Sequence, residues 1–218
     1  MPRIRREGAA GTRVAATALR DALARGDLAP GQRLIEGELA ADYGVTRASV
    51  RAALIDLTAE GLVERIPNRG ARVRVVSVEE AVAITECRMV LEGLCAARAA
   101  QRATDDEIES LVVLGAQMRT AVTEGEPVKY SEYNRDLHRR VREIAAQPVA
   151  NAVLDRLNAQ LIRHRFRLSL RPGRPQVSLK EHLAIIDAIA RRDPAAAEAA
   201  TRAHLASVIE ALKQTDDA

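Results

Sequence analysis

Residues 30–75 constrain the fold more than any other stretch, because they join two short helix patterns, a glycine turn and an alternating hairpin pattern. The first pattern ends near Gly44, and Thr46 is a suitable N-cap for the second, which is amphipathic over residues 47–60. Two alternating segments then flank a Pro-Asn-Arg-Gly turn, as paired strands do. This order predicts a helix–turn–helix followed by a β-hairpin wing.

A helix–turn–helix presents the N-terminal residues of its second helix to DNA base edges. Arg47 there suits guanine, because a guanidinium forms two hydrogen bonds with it, and Arg51 lies one turn later on the same face. Arg69 at the wing tip suits the minor groove or the adjacent phosphates. The predicted DNA-contacting residues are Thr46, Arg47, Ser49, Arg51, Asn68, Arg69 and Gly70. The alternative is a solvated helix face with an ordinary hairpin turn.

The charge distribution favours DNA binding over that alternative. Residues 1–76 contain 13 arginines against 9 acidic residues, whereas the rest of the chain contains 20 basic and 21 acidic residues. The positive excess therefore lies beside the predicted DNA-reading helix, as a nucleic-acid-binding module requires.

The chain after residue 76 carries no strand pattern, so a mainly α fold with a second, all-helical domain is expected. A length of 218 residues suits two domains, predicted over 1–76 and 77–218, with the boundary at a Ser-x-x-Glu capping box that begins at Ser77. Only 2% of the residues are aromatic, which favours helices. A six-helix bundle is predicted, with helices over 77–101, 104–125, 127–146, 148–170, 178–192 and 193–213.

Other features indicate a cytoplasmic protein with no membrane association. No apolar run approaches the length of a membrane span, and the basic N-terminus lacks the apolar stretch of a signal peptide. Cys87 and Cys95 lie two helical turns apart, too far for a disulfide, so free thiols in a reducing compartment are expected.

Three histidines fall on the inward faces of three predicted helices, which suggests a metal site. They are His138, His182 and His204, and Asn134 stands one turn before the first of them. A single buried histidine is usually satisfied by core hydrogen bonds, but converging neutral imidazoles are typical metal ligands. His164 also falls on an inward stripe, and its role stays open.

Arg88 lies on the inner face of its predicted helix. A buried arginine needs an anion, and its planar fork suits a carboxylate. Two interpretations remain open, namely a carboxylate ligand and an internal salt bridge with a buried glutamate.

Residues 30–75 resemble the winged helix–turn–helix of the GntR family of bacterial transcription regulators. The resemblance is carried by PGQRL, LAADYGVTRASVRAAL, EGLV and NRGARV. It implies operator contacts from the residues matching Thr46, Arg47, Ser49, Arg51 and the glycine region of the wing. Gly37 stands where some relatives carry a DNA-contacting arginine, which implies a different grip on the site.

Residues 78–213 resemble the FadR-type ligand-binding (FCD) domain in its shorter, VanR-like six-helix form. The matching residues are Arg88 to Glu92, Asn134 to His138, Glu181-His182, and the region ending in His204-Leu205. The resemblance implies a divalent metal held by Asn134, His138, His182 and His204, with zinc expected ahead of nickel or manganese, and a small organic acid bound with help from Arg88. Asn134 replaces the usual aspartate, so weaker metal binding or a further ligand is expected.

We therefore expect a transcription regulator, a repressor, that forms a homodimer on a pseudo-palindromic operator and responds to a small carboxylate effector in a metal-containing pocket. No catalytic residues are predicted, and the protein is not expected to be an enzyme. One alternative is a metal-free regulator that senses an apolar or acyl ligand. Another is a metal-dependent hydrolase carrying a DNA-binding domain, which lacks an evident general base.

Overall fold

The chain divides into two compact units, Met1–Val76 and Ser77–Ala218. The computed structural model describes residues 6–66 and 70–214. Of the predicted DNA contacts, Asn68 and Arg69 lie outside these described residues. The two units are described separately below.

Over residues 6–66 and 70–76, the N-terminal unit contains three helices that follow the predicted pattern. They are α1 (Gly8–Arg25), α2 (Glu36–Asp42) and α3 (Arg47–Ala59). Thr46 is confirmed as the N-cap of α3, since its side chain accepts a 3.2 Å hydrogen bond from the backbone N–H of Ser49. Helix α1 packs on α3, and Leu19, Leu54 and Leu57 are buried in this unit. Each such leucine contributes about 1.5–3 kcal/mol through burial of its apolar surface.

Three antiparallel strands complete this unit in the order β1–β3–β2. They are β1 (Arg33–Leu34), β2 (Val63–Ile66) and β3 (Gly70–Val73). The predicted hairpin is present, with Val63 opposite Val73 and Ile66 opposite Gly70. Strand β1 was not predicted, because two residues are too few to show an alternating pattern. It extends the wing to three strands and buries Leu34.

The C-terminal unit is all-helical in its described residues and contains seven helices. They are α4 (Val78–Arg102), α5 (Asp105–Thr123), α6 (Pro127–Ala145), α7 (Pro148–Gln160), α8 (Ile162–Ser169), α9 (Arg174–Ala190) and α10 (Pro194–Lys213). Helix α4 is the longest and packs against α10, α6, α9 and α7. The core between them is built mainly from alanine, leucine and isoleucine. None of the described helices is both long and apolar enough to cross a membrane.

Two predicted helix boundaries in this unit were wrong. The helix predicted over 148–170 is two helices, α7 and α8, which meet at Leu161, where the backbone N–H bonds to the carbonyl of Asn158 instead of continuing the α-helical pattern. The helix predicted from Ser178 begins at Arg174, because Gly173 adopts a left-handed φ of 81° and Pro175 suits a first turn. Ser178 consequently lies inside α9 and is buried instead of capping it.

Candidate functional site

Three histidines from three helices converge in the C-terminal unit, as the sequence predicts. His138 lies on α6, His182 on α9 and His204 on α10. One potential ligand atom of each lies within 4.8 Å of the others, and Nε2 of His182 is 3.2 Å from Nε2 of His204. His182 is fully buried, because its side of α9 also carries Leu179, Ile186 and Ile189, which face the core. His164 is also buried but is not part of this cluster.

Each of these imidazoles has an oxygen partner at Nδ1. His204 Nδ1 lies 2.8 Å from Glu181 Oε2, and His138 Nδ1 lies 2.8 Å from Glu92 Oε2. His182 Nδ1 is 3.0 Å from the hydroxyl of Tyr130. A carboxylate at Nδ1 accepts the ring N–H there, which fixes the orientation of the ring and leaves a lone pair on Nε2, as is usual around metal-binding histidines. The Tyr130 hydroxyl has the same effect on His182 when it accepts the Nδ1–H hydrogen bond.

The electrostatic environment keeps two of the imidazoles, His182 and His204, neutral. Burial lowers the pKa of His204 to about 4, although its hydrogen bond to Glu181 opposes the shift. Burial and the neighbouring His204 hold the pKa of His182 well below its ordinary value. Neutral imidazole is the form that binds metal, so both rings are ready to act as ligands near pH 7.

Glu92, the carboxylate beside His138, is ionised despite its burial. Burial by itself raises the pKa of Glu92, but Arg88 and His138 outweigh it and hold that pKa well below its ordinary value. Arg88 is only 3% exposed, and its Nε and Nη2 lie 2.9 and 2.8 Å from Oε1 of Glu92. The internal salt bridge considered for Arg88 is therefore present. A role for Arg88 in binding an effector stays a prediction.

Asn134 supplies an oxygen whose hydrogen-bonding capacity is unused. It lies one turn before His138 on α6, and its Oδ1 is buried without a hydrogen-bond partner among the described residues. An unsatisfied buried acceptor costs about 1–3 kcal/mol, which a cation at this point would offset. Three imidazoles and one amide oxygen fit a divalent transition metal such as zinc.

A small cavity of about 50 Å³ borders this cluster. Its lining includes Asn134, His138 and His204 together with three arginines: Arg88, Arg165 and Arg174. Since about 10–15 Å³ of such space holds one water molecule, the cavity corresponds to a few waters or a small acid. The three guanidinium groups make the cavity cationic, and Leu168, Leu205 and Val208 supply an apolar part of its wall.

Several of these residues were not predicted as site residues. Arg165 lies on α8 three residues before the buried Leu168, a spacing typical of one helix face, but no prediction was made for it. Arg174 was placed in a loop, because α9 was predicted to start four residues too late. Tyr130 and Glu181 become partners of histidines only through packing between α6, α9 and α10.

The predicted DNA-contacting residues of α3 lie in two different environments. Arg47 and Arg51 are exposed. Ser49 is 2% exposed, and its hydroxyl lies 3.0 Å from Oγ1 of Thr46, so the structure places this residue inside the unit, where it supports the cap. The other predicted contact that the structure describes is Gly70, which is exposed at the start of β3 with a left-handed φ of 86°.

Helix α2 orients both exposed arginines of α3. Arg51 Nε and Nη2 lie 3.0 and 2.7 Å from the two carboxylate oxygens of Glu36. This hydrogen-bonded pair lowers the pKa of Glu36. A Cβ added at Gly37 would lie 3.1 Å from Nη2 of Arg47, so the glycine leaves the space that this guanidinium occupies.

Comparison with known proteins identifies two families along the chain. The family described as "Bacterial regulatory proteins, gntR family" matches residues 12–73, and the "FCD domain" family matches residues 83–207. The HTH-type transcriptional repressor RspR of Escherichia coli K12 is 29% identical over 86% of this chain and 82% of its own length. The HTH-type transcriptional repressor NanR of Enterobacter sp. strain 638 is 30% identical over 87% of this chain and 80% of its own length.

Solved structures share the fold. E. coli McbR/YncC matches with a TM-score of 0.79 at 20% identity, over 94% of this chain and 98% of that protein. A putative GntR transcriptional regulator from Rhodococcus sp. RHA1 matches with a TM-score of 0.73 at 24% identity, over 95% of this chain and 99% of that protein.

Proposed function

Because this chain belongs to the GntR family of bacterial regulatory proteins and carries an FCD domain, we propose that it is a metal-containing, acid-responsive repressor. That it is a transcriptional regulator, not an enzyme, follows from the family itself. The proposal adds the metal, the effector and a homodimeric state. Repression is supported by the names of RspR and NanR, both HTH-type transcriptional repressors.

One observation carries the metal part of the proposal. Three imidazoles meet with their Nδ1 atoms beside Glu92, Tyr130 and Glu181, next to an amide oxygen of Asn134 that has no described partner. We assign His138, His182, His204 and Asn134 as the metal ligands. A divalent ion held there supplies a Lewis-acidic centre to which a carboxylate oxygen binds.

The cavity supports a small acid as the effector over an apolar or acyl ligand. Three arginines line it, and its volume of about 50 Å³ suits a small acid better than a long acyl chain. Arg88, held by Glu92, presents a guanidinium to this space and suits a carboxylate.

Helix α4 provides the connection to DNA binding. It carries Arg88 and Glu92 and begins at Val78, directly after the N-terminal unit in the chain. We propose that acid binding at Arg88 favours one position of α4 and so changes how the two DNA-binding units of a homodimer meet their half-sites. Coupling of this kind typically changes operator affinity by about 5- to 150-fold.

A direct test measures metal content and operator affinity on the same preparations. An operator is selected from a random duplex pool, and its binding is followed by fluorescence anisotropy across a panel of small carboxylic acids. We expect about one metal ion per chain and an acid-dependent change in operator affinity that EDTA treatment abolishes.

Two variants sharpen the metal assignment. H204N removes a clustered imidazole and should abolish metal binding, whereas H164N removes a buried histidine outside the cluster and should retain it. If the protein contains no metal even after metal has been supplied, the metal site is refuted. Operator affinity that no pocket-binding acid changes would refute the effector role.

A further inference from the structure

Arg165 differs from the other two arginines that line the cavity. Arg88 is paired with Glu92, and Arg174 lies 3.2 Å from Glu181 and 2.7 Å from Oγ of Ser207. The guanidinium of Arg165, on α8, forms no hydrogen bond or ion pair with a side chain in residues 6–66 or 70–214. Among the described residues, Arg165 therefore faces the cavity as a cation that is not paired with a carboxylate, although the charge of Glu92 acts on it from a distance.

The surroundings of Arg165 increase the need for an anion. Burial and the neighbouring Arg88 lower its pKa to about 10, while Glu92 opposes the shift. The group stays charged at neutral pH. A partly buried charge without a partner is costly, and an anion supplied by a ligand offsets that cost.

The charges around the cavity do not balance. Three guanidinium groups face two carboxylates, Glu92 and Glu181, so one positive charge is in excess among these five groups. A divalent ion held only by imidazoles and an amide oxygen raises that excess to three. A ligand with one carboxylate leaves most of it uncompensated.

We propose that Arg165 anchors a second anionic group of the effector, so that the pocket selects small dicarboxylates over monocarboxylates. This inference rests on the proposed function, since the first carboxylate binds at the histidine cluster. The second carboxylate pairs with Arg165, whose planar guanidinium forms charge-assisted hydrogen bonds with it. The small cavity restricts the ligand to a short carbon chain, about the size of malonate or succinate.

The test compares acids that differ by one charge at nearly constant size. Malonate and succinate are each paired with the monoamide in which one carboxylate is replaced by a neutral amide, and binding to full-length, metal-loaded protein is measured by calorimetry. We expect at least one diacid to bind about tenfold or more tightly than its monoamide, as the loss of a charge-assisted hydrogen bond implies.

Variants of α8 assign the preference to Arg165. R165Q should bring the diacid-to-monoamide affinity ratio close to one while leaving monoamide binding in place, and R165K should retain part of the preference. R167Q removes the same charge from an exposed position on α8 and should leave the ratio unchanged.

The outcomes separate this inference from the proposed function. A wild-type protein that prefers neither diacid, or an R165Q protein that keeps the full preference, overturns the role of Arg165. Metal content and operator affinity, measured on the same samples, test the proposed function independently. Because the wild-type ratio is itself decisive, the test stands even if R165Q folds poorly.

Discussion

At the level of single residues, the candidate metal site depends on how each imidazole is held by its second nitrogen. Glu92 and Glu181 hold His138 and His204, and both carboxylates are themselves paired with arginines. The rings are thus oriented before any metal binds. Such partners usually affect metal affinity by about 10- to 100-fold, so they belong to the site as much as the ligands do.

Asn134 allows the ligand assignment to be tested by strengthening the site instead of removing it. N134D replaces a neutral amide oxygen with a carboxylate, which is a better ligand for a divalent cation, so metal affinity should rise about tenfold or more. Competition with a chromophoric chelator measures the change. D136N alters a carboxylate two positions away, paired with Arg139 at the surface, and should have no effect. Equal affinity of N134D and wild type would show that residue 134 is not a ligand.

The buried histidines should make the metal-free protein less stable as the pH falls from about 6.5 to 5. The pKa of His204 is about 4 in the folded state because of burial, against an ordinary value of 6.5. In this window the unfolded chain binds a proton that the folded chain does not, so acid favours unfolding. Between the two pKa values, His204 alone changes the free energy of unfolding by about 3 kcal/mol.

Urea unfolding in EDTA between pH 7 and pH 5 measures the slope of the free energy of unfolding against pH. The range stays above the region in which Glu181 and Glu92, whose pKa values are lowered, lose their stabilising charge. H204Q should flatten the slope, whatever its effect on stability at pH 7. A wild-type free energy of unfolding that does not change over this range would contradict the burial of neutral histidines.

The sequence predicted the ligands better than the groups around them. His138, His182 and His204 were identifiable because each shares a helical stripe with leucine, valine or isoleucine. Tyr130 was also on such a stripe, but its hydrogen bond to His182 joins α6 to α9 and is visible only after folding. Arg165 carried the spacing of a buried residue without a local indication of its purpose.

At the level of elements, α2 and α3 act as a pair through Glu36 and Arg51. The ion pair fixes Arg51 beside Arg47 on the exposed face of α3, and Glu36 also feels the charges of Arg47 and Arg65. A carboxylate at this position lowers the positive potential offered to phosphates. It also orients Arg51, a predicted DNA contact.

E36Q should therefore reduce operator specificity while raising non-specific DNA affinity. Loss of the negative charge strengthens phosphate binding on any sequence, and loss of the ion pair frees Arg51 to adopt several orientations. Anisotropy titrations on operator and scrambled duplexes at several salt concentrations give the specificity ratio.

The matched control is E38Q, which removes the same charge from an exposed position of α2. It should raise non-specific affinity to a similar extent but preserve the specificity ratio. If both variants change that ratio equally, the effect comes from net charge, and Glu36 has no orienting role.

Element boundaries followed from sequence where a side chain determines them locally. Ser77 and Thr104 were predicted as caps and are confirmed, since each accepts a hydrogen bond from the backbone N–H three residues later. The break at Leu161 has no glycine or proline to announce it, and β1 exists only because it pairs with β3. Such features depend on contacts between elements that are distant in sequence.

At the level of the whole molecule, exposed apolar residues of the C-terminal unit are candidates for the interface of the proposed homodimer. Val90 and Leu94 are exposed on α4, and Val149 and Val153 are exposed on α7. The two helices pack against each other through a buried cluster that contains Cys95 and Leu154. Valine and leucine on the outer surfaces of two adjoining helices are typical of a surface that another protein covers.

We predict that this surface forms the homodimer and that L94E disrupts it. A glutamate there buries an unpaired charge in the interface, so the variant should be monomeric at micromolar concentration while keeping its helical content. Operator affinity should then fall steeply, because a monomer engages only one half-site of a pseudo-palindrome. It loses the avidity that two linked DNA-binding units provide. Sedimentation velocity, circular dichroism and anisotropy measure the three effects.

V112E places the same charge on α5, where Val112 is 51% exposed against 42% for Leu94, and should remain dimeric. If V112E is monomeric and L94E is dimeric, the interface lies on α5 and not on α4. In that case α4 does not connect the proposed effector pocket and the DNA-binding unit with the dimer interface.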